Sequence, residues 1–392
     1  MQARRNRLIF GLNPVILVAG LVSLLTDMSS EMIVPVLPLF LTAVLHTRYE
    51  AIGIIEGLAE STASVLKLFS GWISDRFGRR KPLMVAGYSL SNLVKPLLAL
   101  TTTWGQVLGV RFADRVGKGV RGAPRDALIA DATTDADRGK AFGFHRALDT
   151  LGAALGPLAA FAILAASAGR YQLVFVASAV PGVVAVLLLV LFLRERKETT
   201  GTAGRTRPKF AFSSLGKRFI LFSLIATVFA VGNSSDAFLV LRAQSVGMTA
   251  SLIPLAYFLF NITYAVLAIP VGMLSDRIGR RTVLVFGYIL FAALYFCFGI
   301  ARSPSWIWVL FFAYGFYYAA TEGIQKAYVA DLVTPGMRGM AMGTFSAMTG
   351  LAALPASLVA GFLWQSFGAF ASFSVSTACA VLAAGLMVVF KI

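Results

Sequence analysis

The chain has 392 residues, 58% of them hydrophobic and only 14% charged, with a mean hydropathy of +0.78. Soluble domains average about 45–50% apolar and about 25% charged residues, so these figures exclude an ordinary soluble enzyme, a disordered chain and a disulfide scaffold. The net charge of +17 comes from 35 basic against 18 acidic residues, but the bases lie between or inside apolar runs, as in membrane proteins, which argues against a nucleic-acid partner.

At roughly 20 apolar residues per span, this length accommodates about twelve membrane helices. The basic stretch Met1–Arg7 leads into an apolar run too long for a signal-peptide core and without a small-residue cleavage site, so the first span is expected to be retained. Hydrophobic runs place spans at 13–44, 49–72, 83–103, 106–130, 141–166 and 172–193. A second set falls at 219–244, 250–273, 283–301, 306–330, 340–366 and 369–390. Between the sets, 194–217 (RERKETTGTAGRTRPKFAFSSLGK) is polar, basic and rich in Gly and Thr, which reads as a linker. The expected fold is an all-α integral membrane protein with an N-terminal six-helix half (1–193), a linker (194–217) and a C-terminal six-helix half (218–392). Lys and Arg gather in the N-terminus and in alternate connections, whereas the remaining connections hold Arg48, Arg170 and Arg302. That bias places both termini in the cytoplasm and the chain in the cell (inner) membrane. Cys297 and Cys379 each sit inside an apolar run and suggest neither a disulfide nor a metal site.

The two sets of spans repeat one another. Residues 71–80, GWISDRFGRR, match 272–281, GMLSDRIGRR, at an offset of 201. MSSE at 28–31 aligns with NSSD at 233–236, and the pairs at 130–131 and 138–139 recur at 330–331 and 338–339. Internal duplication of a six-helix unit is the sequence signature of a transporter with its site near the bilayer midplane.

The doubled G-x-x-x-D-R-x-G-R-R loop resembles the signature loop of the major facilitator superfamily, and the resemblance spans essentially the whole chain. It implies a twelve-helix fold that rocks between outward-open and inward-open states. It also implies a cytoplasmic gate made of Gly71, Asp75, Arg76, Gly78, Arg79 and Arg80, copied at Gly272, Asp276, Arg277, Gly279, Arg280 and Arg281. Chemically, the glycines allow a turn or close helix approach, each Asp can satisfy backbone N–H groups at a helix end, and the arginines need acids at the same depth. Asp131 and Asp331 stand at the ends of the fourth and tenth spans as their candidate partners. In the fifth span, Gly152, Gly156 and Pro157 within GAALGP are similar to the G-x-x-x-G-P element of antiporter branches, although Ala159 and Ala160 follow where that element has glycines. Two glycines four apart let helices touch, and the proline bends the span. Arg111 with Gly117 and Gly119 is similar to the family's Arg- and Gly-bearing element of the fourth span, which implies a part for Arg111 in proton coupling.

Ionisable residues at membrane depth cost about 2.5–3.5 kcal/mol each on insertion scales and mark function by default. Asp27 and Glu31 share one face of the first span, and Glu56 and Glu60 repeat that spacing in the second, with Lys67 on the same face as Glu60. Lys95 lies near the middle of the third span. The fourth carries a cationic stripe of Arg111, Arg115, Lys118, Arg121 and Arg125, together with Asp114 and Asp126; the stripe is expected to line water or to meet acids on neighbouring helices. His145, Arg146 and Asp149 open the fifth span. Acids and bases nearly balance in this half, so a switchable network of pairs is expected. The C-terminal half is sparser. Asp236 aligns with Glu31, Asn261 stands where the first half has Glu60, and Glu322 and Lys326 are spaced to pair. Tyr257, Tyr264, Tyr314, Tyr317 and Tyr318 are available to line a cavity.

There is no Walker-type loop, no His/Cys metal cluster and no nucleophile elbow, so neither a cofactor nor a bound metal is expected, nor enzyme chemistry. The sequence therefore leads to a secondary active transporter of a small solute, monomeric and embedded in the lipid bilayer, coupled to protons and directed towards efflux by antiport. Asp27, Glu31 and Asp236 are its first proton candidates. The alternatives are a proton-coupled symporter importing a small anionic metabolite, a drug/proton antiporter for lipophilic cations, and, from another class, a membrane sensor that does not transport.

Overall fold

The computed structural model describes residues 13–77, 80–133, 137–193, 215–334 and 337–392. Among these residues there are only helices and the turns between them. Asn13 caps α1 (Pro14–Ile33) by accepting from Val15 N at 3.0 Å, with Pro14 pre-set for the first turn. Pro35 cannot donate to a continuing helix, so the first predicted span is broken at residues 34–36 before α2 (Leu37–Ala43). Then come α3 (Tyr49–Phe77) and α4 (Lys81–Val94), which tightens at Pro96 into a 3-10 turn over Lys95–Leu100. A Thr103/Gln106 capping box starts α5 (Trp104–Asp131). Next are α6 (Arg138–Ala166), α7 (Tyr171–Ala177) and α8 (Ala179–Phe192).

Beyond the linker, whose residues up to 214 lie outside the described residues, α9 (Lys217–Gly232) and α10 (Ala237–Ser245) are again separated by a break. Helix α11 (Ile253–Ile278) turns into α12 (Arg280–Ile300) through the single residue Gly279, whose φ of +92° suits glycine. The chain ends with α13 (Pro304–Asp331), α14 (Arg338–Phe367) and α15 (Ala369–Val389).

Nine helical segments among the described residues are long and apolar enough to cross a membrane. The long helices outside that set are α3, α5 and α13. Glutamates, the cationic stripe, and tyrosines with a Glu–Lys pair respectively lower their apolar character. Large apolar side chains such as Leu191, Val266 and Ile269 point outward, which is cheap only against hydrocarbon.

Two compact units form. One comprises Met1–Val36 and Val65–Thr200, the other Leu37–Ser64 and Gly201–Ile392. In the first, α1 runs along α6, α4 along α5, and α8 packs on α1 and α4. In the second the pattern recurs: α9 lies on α14, α12 on α13, and α15 on α9 and α12. Within that second unit, α2 and the first half of α3 are well fastened. Thr42 Oγ1 donates to Gln244 Oε1 at 3.0 Å, Gln365 Oε1 accepts from Tyr49 N at 3.1 Å, and Ser61 Oγ donates to Gly350 O at 3.0 Å. The Tyr49 ring stacks on Trp364 at 5.0 Å.

Candidate functional site

In the first unit, Gly87 of α4 and Gly117 of α5 sit back to back. A Cβ on either would stand 2.6–2.7 Å from the other's carbonyl oxygen. This close approach lets Ser91 Oγ donate to Asp114 Oδ1 at 2.6 Å. Asp114 Oδ2 lies 3.7 Å from Arg111 Nη1 and 4.0 Å from Arg115 Nε, and all three side chains are buried. The upper stripe thus has an acid of its own helix, Asp114, within reach.

Lower on α5, Arg125 Nε and Nη2 donate to Asp126 Oδ1 at 3.0 and 2.9 Å, and Nη1 donates to Ser23 Oγ at 3.1 Å. Lys67 of α3 turns to Asp126 Oδ2 at 3.6 Å. Arg121 lies over the Tyr88 ring, 4.4 Å from its centroid, a cation–π contact.

Helix α1 presents its acids to α5 and α6. A Cβ at Gly156 would stand 2.7 Å from Met28 O and from Glu31 Cβ, and one at Gly152 would collide with Leu24 O. The two glycines therefore let α6 seat directly on the α1 backbone, and Pro157 follows inside the helix. Asp27 lies in the field of Arg121, Arg125 and Lys118 as attracting charges, with Asp149 opposing them. His145 Nδ1 is 3.5 Å from Asp149 Oδ2. Lys95 Nζ donates to Ser29 Oγ at 3.0 Å and Ser30 Oγ at 2.9 Å.

In the second unit the break at 233–236 holds the site. Asp236 Oδ1 accepts from the Tyr314 hydroxyl at 2.8 Å and Oδ2 from the Tyr257 hydroxyl at 3.1 Å. Asn233 Nδ2 donates to the Tyr317 hydroxyl at 3.2 Å, and Ser235 Oγ donates to Glu56 Oε2 at 3.4 Å. The rings of Tyr314, Tyr317, Tyr318, Tyr264 and Phe260 form one cluster, with neighbouring centroids 4.9–5.7 Å apart. Glu60 is half-buried on α3. Lys326 Nζ donates to Glu322 Oε1 at 2.6 Å. The aligned MSSE of the first unit stays helical within α1, so the duplicated sequence takes two backbone forms.

Of the loop residues, Gly78 and Arg79 lie outside the described residues, as do the side chains of Gly71, Asp75 and Arg76. Arg80 Nη1 is 2.6 Å from Asp131 Oδ2. In the second unit the acid at the end of α13 is met by Arg280, which aligns with Arg79: its Nη1 is 2.7 Å from Asp331 Oδ2 and also donates to Ala327 O at 2.7 Å, while Nη2 reaches Asp276 Oδ1 at 3.3 Å. Arg281 donates to Met387 O and Val388 O at the end of α15, and Lys81 donates to Val190 O in the last turn of α8. Arg277 is exposed at the end of α11. Gly272 does not serve the close helix approach expected of it: a Cβ there would meet nothing within 4 Å.

Sequence reasoning missed Arg242 on α10. Its Nε donates to Phe298 O at 2.8 Å and its Nη2 to Gly299 O at 3.1 Å and Ala301 O at 2.6 Å. This fork closes the C-terminal end of α12. The only signal was a lone arginine late in an apolar run.

The described geometry can be set against known proteins. The Major Facilitator Superfamily model matches residues 19–241 and 220–392. The chain is 38% identical over 353 residues to an uncharacterized MFS-type transporter of Methanocaldococcus jannaschii, covering 88% of this chain and 87% of that one. It is 26% identical over 360 residues to the class G tetracycline resistance protein of Vibrio anguillarum, covering 87% and 88% respectively. A crystal structure of the nucleoside transporter NupG superposes with a TM-score of 0.78 over 96% of this chain and 100% of that chain; at 15% identity the likeness is one of fold.

Proposed function

We propose a specific task for this chain, which belongs to the major facilitator superfamily and is a multi-pass membrane transporter: it exports a small solute in exchange for protons. The reading includes twelve spans in two halves, 1–193 and 218–392, joined by a cytoplasmic linker over 194–217. Both termini are cytoplasmic, the chain works as a monomer, and the membrane is the cell's inner one.

The observation that carries proton coupling is Asp236, set where the chain leaves the helix between α9 and α10, with each carboxylate oxygen held by a tyrosine hydroxyl. A carboxylate only accepts, whereas a carboxylic acid must also donate. Loading a proton onto Asp236 therefore weakens its oxygens as acceptors for the two tyrosines and adds a donor that needs an acceptor of its own, which gives protonation a mechanical consequence at the break. Asp27, facing Asp149 and the arginines of α5, is the corresponding acid of the first unit. Glu31, Glu56, Glu60, Arg111 and Arg115 complete the pathway. The Arg80–Asp131 and Arg280–Asp331 pairs act as latches of the gate. The G-x-x-x-G-P element and the likeness to a tetracycline resistance protein support export.

The test uses proteoliposomes with a trapped pH-sensitive dye and an imposed proton gradient. Candidate solutes are added one by one. A transported solute should dissipate the gradient with the native chain and fail to do so with Asp236→Asn and with Asp27→Asn. Solute flux indifferent to the gradient, or full coupling in both variants, refutes the reading.

A further inference from the structure

Lys95 stands where α4 tightens into its 3-10 turn, and it is only 2% exposed. Two of its three N–H groups reach Ser29 Oγ and Ser30 Oγ. Ser29 spends its own proton on Ser178 O, 2.7 Å away at the junction of α7 and α8, so its lone pairs are fixed towards the ammonium. Among the described residues no carboxylate forms an ion pair with Lys95. The attracting charges acting on it are Asp114 and Asp27, opposed by Arg121 and Arg115. Asp114 is already engaged by Ser91, Arg111 and Arg115. A buried ammonium hydrogen-bonded to two neutral hydroxyls, with no carboxylate in direct contact among the described residues, is an expensive arrangement, and expensive intramembrane charges are kept where they act on something. Ser30 is the half-buried member of this group.

We infer that Lys95, with Ser29 and Ser30 orienting it, is the seat for an oxyanion group, a carboxylate or phosphonate, on the transported solute. This rests on the transporter reading above and supplies what that reading lacks, the chemical class of the cargo. The incoming group would take the third ammonium N–H as a charge-assisted hydrogen bond.

The test is binding, without any gradient. Purified chain in detergent at pH 7 is melted with increasing sodium glutarate or sodium methylphosphonate. Sodium chloride at matched ionic strength and tetraethylammonium chloride serve as controls. The native chain should show a saturable rise in melting temperature with an oxyanion and none with the cation. Lys95→Gln should lose the rise, and Lys95→Arg should keep it. Should Lys95→Gln not fold, Lys95→Met, which removes the need for any donor, takes its place. If neither folds, Lys95→Arg decides: a changed order of preference between the two oxyanions supports the seat, and an unchanged order overturns it.

No rise above chloride in the native chain overturns the inference, as does an equal rise in Lys95→Gln. Stabilisation by short-chain phosphatidylglycerol but not by the soluble oxyanions assigns the charge to a lipid phosphate and also overturns it. Oxyanion binding lost in Lys95→Gln, alongside flux that ignores a proton gradient, would leave this site standing and remove the antiport reading.

Discussion

Replacing Gly156 with alanine adds one methyl group at the closest part of the α1–α6 seam. That carbon would stand 2.7 Å from both Met28 O and Glu31 Cβ, whereas ordinary contact begins at 3.4 Å. The two helices must therefore part by about 0.7 Å, the difference between those distances. Overpacking of this kind costs about 1–3 kcal/mol. Alanine's better helix propensity returns about 0.5–1 kcal/mol, leaving a net loss of roughly 0–2.5 kcal/mol, centred on about 1 kcal/mol. Gly143, on the same helix, has nothing within 4 Å of its Cβ position. There the propensity gain is unopposed, and Gly143→Ala should stabilise by about 0.5–1 kcal/mol. The same chemical change on one helix thus carries opposite signs at two positions. Thermal unfolding of the purified protein in detergent should show a lower midpoint for Gly156→Ala and a higher one for Gly143→Ala, each by about 1–4 °C. Equal shifts, or a Gly156→Ala protein as stable as Gly143→Ala, would refute the packing argument. Because α1 also carries Asp27 and Glu31, Gly156→Ala should slow solute flux in chains that remain folded.

Arg242→Ala removes a fork that serves three carbonyls at the end of α12; because the site is half-buried, water compensates in part, and the expected loss is about 1–3 kcal/mol in the same melting assay. Arg242→Lys should recover less than half of it, since a point-charge ammonium cannot reproduce the planar fork. Arg280→Ala breaks a pair whose acid, Asp331, is 50% exposed, so its stability cost should stay below about 1 kcal/mol. Time-resolved flux into proteoliposomes should nevertheless change, and unchanged flux would remove Arg280 from the gate.

Much of the helical frame was legible from hydrophobic runs, because a lipid surround demands long apolar segments. The repeat was legible as well: one arginine of each loop copy meets the acid that ends a long helix, Arg80 with Asp131 and Arg280 with Asp331, although Arg280 aligns with Arg79 and not with Arg80. The breaks after Ile33 and Gly232 were not. Averaging hydrophobicity across a run hides a local change of backbone direction, although Pro35 was in view. Charge partners were the least legible part. Lys67 shares a face with Glu60 in sequence, yet turns to Asp126, because α5 brings that acid within reach and spacing along one helix says nothing about its neighbour. Gly272 sits in a motif that suggests close helix approach, yet it lies on an open face, which only three-dimensional packing decides. Ser29 and Ser30 were visible as part of the repeat, but their bond to Lys95 depends on how α1 meets the end of α4.

The membership of Leu37–Ser64 in the second compact unit bears on how this protein can be divided. Severing the chain in the 194–217 stretch looks like a cut between two equal modules. The downstream fragment, however, would be born without its own cover: Gly350 O, Gln365, Trp364 and Gln244 have partners at Ser61, Tyr49 and Thr42, all encoded upstream of the cut. Made alone, that fragment would show bare polar and aromatic surface within the bilayer and be a target for quality-control proteases. Made together, the two pieces have a built-in reason to find each other, because a strap from one completes the fold of the other.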